Sequence, residues 1–286
     1  MTTSRGMVQI SLNAFDVLWQ TWCLDVGPSV PAKPLVLDCG SPGVTPSERR
    51  RIEQFAYQEL EAATAHLGGG GMRQLHPVLK VLAWPEYEIN LRWQSDTAVR
   101  AMAASRHNLP VLAWLAYPMI SDRPAHRPPG MSIWFVWGES DEPAVDLVRR
   151  LPERPAGHVR ARSQSVDVAS LRKARALVNS ASRTSRQQPW SIMRQALRQV
   201  GVGDDASRAF ANLADQECKA RGEFRVVVPG RFGGRRASSW IRVNDTDKGR
   251  YLLTIDDRGW ITMRGATKDI LVNQLRQERD RLMNHR

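Results

Sequence analysis

Cysteine is scarce: Cys23, Cys39 and Cys218 stand far apart in 286 residues, with no CxxC pair among them. That count excludes a disulfide-framed mini-protein, argues against a zinc site and suits a reducing cytoplasm. Long apolar runs are missing too. The longest, at 109–120, falls short of the roughly 18 residues a membrane span needs and carries Pro110 and Pro118. The first apolar patch is broken by Asn13 and Asp16, and no small-residue cleavage site follows, so no secretory leader is expected. Enzyme signatures are equally thin. There is no GxSxG elbow, no Walker A loop and no HExxH, and the six histidines do not pair at ligand spacing. No catalytic residue, metal ligand or cofactor is assigned, and the chain does not read as an enzyme.

What remains is a chain with 42% hydrophobic and 24% charged residues, enough for a real core in one large domain or two ordinary ones. The net charge is +12, and it is unevenly placed. Between Arg149 and Arg198 stand twelve Arg or Lys residues against Glu153 and Asp167, so the rest of the chain is nearly balanced. A block of that kind supports one alternative, a nucleic-acid-associated regulator using residues 149–198. No stacking aromatics or reading motif accompany it. With only six lysines among the 41 basic residues, a solvated face in an arginine-rich chain is the plainer reading.

Element signals are clear in places. Thr45-Pro46-Ser47-Glu48 is a capping box with proline in the first turn. Ile52, Phe55, Ala56, Leu60, Ala63 and Leu67 then form one apolar stripe, and Gly68–Gly71 end the helix. A short helix is expected near 75–83. Strand 86–93 alternates Tyr87, Ile89, Leu91 and Trp93 with Glu86, Glu88, Asn90 and Arg92. Further strands are expected at 97–104, 111–117 and 131–137, the last apolar on both faces, and a helix at 142–151. After a Pro/Gly-marked boundary at 152–157 come a strand at 158–166, a helix capped by Asp167, and helices at 189–200 and 204–221. Strands at 223–228, 237–244, 250–255 and 260–264 follow, joined by glycine-bearing turns. A last helix starts at Thr267. Each half reads as strand, helices, four strands, helix. Segregated helices and strands predict an α+β fold with a central, mostly antiparallel sheet flanked by two helical bundles, its halves (1–157 and 158–286) in a quasi-two-fold arrangement. The stretch 180–188 reads as a mobile loop.

Two sequences imitate functional loops. Asn244-Asp245-Thr246-Asp247-Lys248-Gly249 resembles the opening of a calcium loop, but glycine falls at the fifth position instead of the sixth, and strands flank it. A hairpin turn explains it. The run Gly230-Arg231-Phe232-Gly233-Gly234 joins two strands and opens no helix, which makes it a turn with a basic tip. Ten tryptophans are a stronger signal. Most belong in a core, yet tryptophan is also enriched at binding hot spots, and a strand apolar on both faces can hide a protein-binding surface.

The run Lys80-Val81-Leu82-Ala83, then Pro85-Glu86 and Glu88-Ile89, resembles the helix-to-strand junction of the EspG-type chaperones of actinobacterial type VII secretion. Asp245-Thr246, Gly249-Arg250-Tyr251, Gly259-Trp260 and Ala266-Thr267 agree, as does the early Phe15-Asp16-x-Leu18-Trp19. The resemblance spans the whole chain in element order, so 1–286 is expected to be a single domain of this kind. It implies a cytoplasmic, non-enzymatic chaperone that binds the tip of a helical secretion substrate, PE–PPE-like or of the WXG type, without membrane insertion; a homodimer is left open. Binding would use the sheet and the C-terminal bundle, helped by a loop after the first central strand. Here that loop is only Gln94, Ser95 and Asp96, and the long loop lies at 118–130 instead. The candidate client-binding residues are therefore Glu88, Asn90, Arg92, Gln94, Ser95 and Asp96, with Trp134 as an apolar anchor and Ile192, Leu197, Phe210 and Leu213 as a wall.

Overall fold

Ser11 closes strand β1 (Gly6–Ser11) and caps helix α1 (Leu12–Val26), its hydroxyl accepting from the Ala14 N–H at 3.1 Å. The computed structural model describes residues 5–29, 31–34, 36–37, 45–67, 71–118, 131–159, 163–181, 189–230 and 234–284. Cys39, most of the four-glycine turn, nearly all of the loop expected at 118–130 and most of the stretch 180–188 lie outside the described residues. The chain divides into two units, one of Met1–Leu151, Val226–Ser238 and Gln274–Arg286, the other of Pro152–Arg225 and Ser239–Asn273.

In the first unit, α1 is followed by α2 (Pro46–Thr64), α3 (His76–Ala83), β2 (Tyr87–Gln94), β3 (Thr97–Arg106), β4 (Leu109–Pro118), β5 (Ser132–Trp137) and α4 (Pro143–Arg149). The strands form an antiparallel ladder in the order β1-β5-β4-β3-β2. Alternation gives one face of that ladder Val8 and Ile10 on β1, Phe135 on β5, Ala113 on β4 and Met102 on β3, all buried under the first three helices. Aromatic rings fill the layer between. Phe15, Trp19, Trp22 and Trp84 meet edge to face with centroids 5.4–5.9 Å apart, and Phe15 reaches Phe135 at 5.4 Å. The capping box of α2 forms in full, with Glu48 N–H donating to Thr45 and Thr45 N–H to Glu48. Asp16, buried on α1, is held by Lys33 and by Arg49 at 2.9 Å, which ties α1 to α2.

The second unit runs β6 (Gln164–Asp167), α5 (Val168–Ala181), α6 (Pro189–Gln199), α7 (Asp204–Asp215) and β7 (Cys218–Pro229). After the short β8 (Arg235–Ala237), which pairs with the end of β7 inside the first unit, come β9 (Ile241–Thr246), β10 (Gly249–Ile255), β11 (Trp260–Gly265) and α8 (Lys268–Asn284), which from Gln274 onward belongs to the first unit. Its ladder is again antiparallel, in the order β6-β11-β10-β9-β7. Setting β8 aside, both halves of the chain read strand, three helices, four strands, helix, and their ladders share one connection order. The fold is α+β and antiparallel, with eight α-helices among the described residues.

Several elements differ from expectation. The helix expected at 204–221 stops at Asp215, because from Cys218 the pattern alternates and buries Ala220, Gly222 and Phe224 on one face of a strand. A glycine inside a helix would also cost about 1 kcal/mol relative to alanine. The strand expected at 237–244 is broken in two, since Ser238 turns inward and its hydroxyl accepts from the Val226 N–H at 3.0 Å. Phe55, expected on the buried stripe of α2, is 61% exposed and lies under the Arg51 guanidinium, while Thr64 is buried instead. The strand expected to begin at 158 is paired only from Gln164. The false calcium loop is a hairpin, as its spacing suggests, and its Asp245 has another partner.

That partner is Arg250, fully buried, which donates to both Asp245 oxygens at 2.6 and 2.8 Å and to the Pro152 carbonyl at 2.9 Å. Main-chain bonds from Arg250 to Pro155 and from Gly157 to Arg250, both 2.8 Å, lay residues 155–157 along β10. The close approach requires glycine at 249, where φ is +120° and a Cβ would sit 2.8 Å from the Pro155 carbonyl oxygen. Arg250→Ala strands a buried carboxylate and should cost about 3–5 kcal/mol in urea unfolding. A loss below about 1 kcal/mol would refute that account.

In the first unit Arg276 donates to Glu142 from two nitrogens, with Arg279 at 3.7 Å, and these charges hold the Glu142 carboxyl below its ordinary range. A depressed carboxylate stabilises the fold above its unfolded pKa and loses that contribution as the pH falls through the folded value. Glu142→Gln should therefore cost roughly 1 kcal/mol at pH 7, and the difference should vanish on acidification below the ordinary glutamate range; parallel unfolding curves at pH 7 and pH 3 test this.

Candidate docking cleft

Strand alternation decides which side chains of the second unit meet its helices. On one face β6 contributes Val166, β11 Ile261 and Met263, β10 Tyr251 and Leu253, and β9 Arg242, Asn244 and Thr246, while β7 adds Arg221 and Glu223. The β6, β11 and β10 portion is apolar and packs against Ala174, Ala196, Leu197 and Phe210 of α5–α7. The β9 and β7 portion is polar, and Arg221 and Arg242 are exposed. Helix cover ends where the chemistry of the sheet changes.

A cleft of about 320 Å³ opens along that boundary. Leu171, Met193, Phe210 and Leu213 of the helices and Leu253 and Ile261 of the sheet make its apolar side; Gln216, Arg221, Arg242 and Asn244 make its polar side. The polar side is held in place. Thr246 donates to Gln216 at 2.7 Å and Gln216 to the Tyr251 hydroxyl at 3.1 Å. Arg242 pairs with Glu223 at 2.9 Å, and Arg221 Nε donates to the Cys218 sulfur at 3.3 Å. On the helix side, Asp204 of α7 joins α6 through Arg194 at 2.8 Å and also pairs with Arg208 of its own helix at 2.7 Å, and the Arg194 bond holds its carboxyl below the ordinary range. The cleft can seat an apolar group and offer guanidinium donors to an acceptor beside it.

The residues expected to act together belong to different units. Glu88, Asn90, Arg92, Gln94, Ser95 and Asp96 belong to the first unit, where the β2 registers put Glu88 and Asn90 on the helix-facing side of the ladder. Glu88 is buried, accepts from Asn90 at 2.8 Å and pairs with Arg235. Arg92, Gln94 and Asp96 are exposed, and Ser95 closes the β2–β3 turn on Thr97. Trp134 is not beside them: its register through Trp114 and Ala101 to Leu91 puts it on the opposite face, three strands away. In the second unit Phe210 and Leu213 line the cleft, whereas Leu197 is sealed in the core and Ile192 is buried outside the lining. Sequence reasoning missed Gln216, Arg221, Arg242 and Asn244. The alternation of Arg221, Glu223 and Arg225 with Ala220, Gly222 and Phe224 was the available signal, hidden by extending α7 over it.

The described part of the basic block is partly engaged: Arg172, Lys173 and Arg175 of α5 are exposed, while others meet carboxylates. Among its described residues Arg150 pairs with Glu139, Arg154 lies 4.0 Å from Asp245, and Arg194 and Arg198 share Asp204. Among the described residues no group of His, Cys, Asp or Glu could hold a metal ion, and no helix is long and apolar enough to cross a membrane.

These features define an antiparallel α+β protein that uses one topological plan twice. The chain belongs to the EspG family, whose model matches residues 11–277. A solved structure with the same fold is that of the Mycobacterium tuberculosis type VII secretion system chaperone EspG5, in complex with the PE25–PPE41 dimer, at TM-score 0.61 and 14% identity over 96% of each chain. A dehydratase from the difficidin assembly line aligns at TM-score 0.15 and 8% identity over 72% of this chain and 86% of that one, too little to bear on the fold. No curated protein matches the sequence.

The two helix layers differ in how much they bury. The core under α1–α3 carries the aromatic cluster and many fully buried aliphatics, whereas α5–α7 enclose a small core beside the cleft. Fewer buried contacts lower the free energy of local opening. Amides of α5–α7 should exchange with solvent at least tenfold faster than those of α1–α3, read by hydrogen–deuterium exchange. Equal protection in both layers would contradict this account.

Proposed function

We propose that this chain is a non-enzymatic, cytosolic chaperone of type VII secretion that holds the helical tip of a PE–PPE-like client in the cleft of its second unit. Membership of the EspG family supports the role, and the partner of the similarly folded EspG5, a PE–PPE dimer, supports the client class. The observation that carries the site is the cleft itself, a partly apolar hollow between α5–α7 and the open strands β9 and β7. Helix tips that expose apolar residues aggregate when unprotected, and covering them needs a surface of this kind. Phe210 and Leu213 form the apolar wall. Residues 1–286 act as a single EspG-like domain, with halves of like plan at 1–157 and 158–286.

Leu213 is half-buried at the cleft and packs against the edge of the core without being enclosed in it, so it tests the site with most of the fold retained. Co-expression with a PE–PPE pair should raise the soluble yield of that pair and give a complex that survives gel filtration. Leu213→Asp should weaken the complex at least tenfold while the free protein keeps a folded circular dichroism spectrum and a cooperative melt. Failure of the wild-type chain to retain any PE–PPE pair would end the proposal.

A further inference from the structure

The cleft has a charge of one sign. Of its lining residues only Arg221 and Arg242 are charged, and both stand on the open strands beside the apolar wall. Two neighbouring carboxylates are engaged, Glu223 by Arg242 and Glu217 by Lys219, while the exposed Asp215 ends α7 outside the lining. Arg242 retains donors after that pairing, because a guanidinium carries five N–H groups, and its side chain is 57% exposed. Arg221 uses its Nε on the Cys218 sulfur, and the exposed side chain lines the cleft. Two guanidinium groups beside an apolar hollow match an apolar side chain with a carboxylate next to it, through paired, charge-assisted hydrogen bonds.

A helical tip carries such a carboxylate at a definite place. Where a helical hairpin turns back, the returning helix begins, and its exposed N–H groups and dipole favour Asp or Glu at the cap and in the first turn. A tip residue entering between Met193, Phe210 and Leu213 would bring that first turn over β9 and β7. Resting on the docking reading above, we propose that Arg221 and Arg242 select clients whose apolar tip carries Asp or Glu in the first turn of the returning helix. A tip with Lys or Arg there meets like charge and is rejected.

The test uses the full chain and three synthetic helical-hairpin peptides with the same Leu-Phe tip. They differ only in the first turn of the second helix, which is Glu-Asp, Gln-Asn or Lys-Arg. Fluorescence anisotropy should find the acidic hairpin bound about tenfold tighter than the neutral one and the basic hairpin weakest, with the acidic preference shrinking as salt rises. The double variant Arg221→Glu, Arg242→Glu should invert the order, an exchange of preference that a merely structural role cannot produce. Should that variant fail to fold, the single variants Arg221→Gln and Arg242→Gln should each reduce the acidic preference about threefold. Equal binding of the acidic and basic hairpins overturns charge selection while leaving the docking reading intact. Binding of none of the three overturns both. Displacement of the acidic hairpin by a duplex DNA 20-mer would assign the two arginines to phosphate and overturn the proposal.

Discussion

An antiparallel ladder with one helix-facing side must either cover that side or make it polar, and the second unit does each over a different part of its width. Val166, Met263, Tyr251 and Leu253 demand cover and receive it from α5–α7. One strand further, at Arg242 and Asn244, the sequence stops demanding it. The position of that change, set by alternate residues on two strands, fixes where the helix layer ends and so where the cleft opens. The first unit makes the same change later. Met102 and Ala104 on β3 still join the core, and only β2 presents Glu88, Asn90 and Arg92 to that face.

Rigidity is distributed accordingly. The floor of the cleft is anchored by the buried Arg250–Asp245 pair and by the strand of main chain laid along β10, while its helix wall is pinned at the surface by Asp204 and its arginines. A buried ion pair contributes little net stability compared with an apolar substitute, but it tolerates few alternative arrangements. Exposed pairs restrain less, because water and salt compete for them. A fixed floor under a yielding wall suits a surface that must accept tips of somewhat different shape.

Much of this was legible in the chain. The capping box at Thr45, the alternation of β2, the Asp167 cap (accepting from Ser170 N–H at 2.8 Å) and the hairpin at 245–250 are local features that tertiary structure had no reason to override. The element plan and the family resemblance follow from them. What was not legible depends on neighbours distant in sequence. Phe55 satisfies the helical period of α2, yet among the described residues no element covers it. β1 is too short and too mixed to announce itself, and becomes a strand because β5 pairs with it and Glu59 takes its last N–H. The split at Ser238 has the same origin, a hydrogen bond across twelve residues.

The end of α7 shows why the site was harder to read than the fold. Residues 204–215 have a helical period and 218–229 a strand period, and Gln216, extended, is the joint between them. Carrying the helix six residues too far costs little in an account of fold class, since helix and strand are both still counted. For the site the same error removes Arg221 from the sheet and rotates it off the face it shares with Asn244. Apolar wall residues such as Phe210 survive a boundary error because a helix shows them every third or fourth position. Charged residues on an open strand do not, because one residue of slip sends each to the opposite face. The chemistry that distinguishes one client from another is therefore written in the part of the sequence where register, and not composition, carries the information.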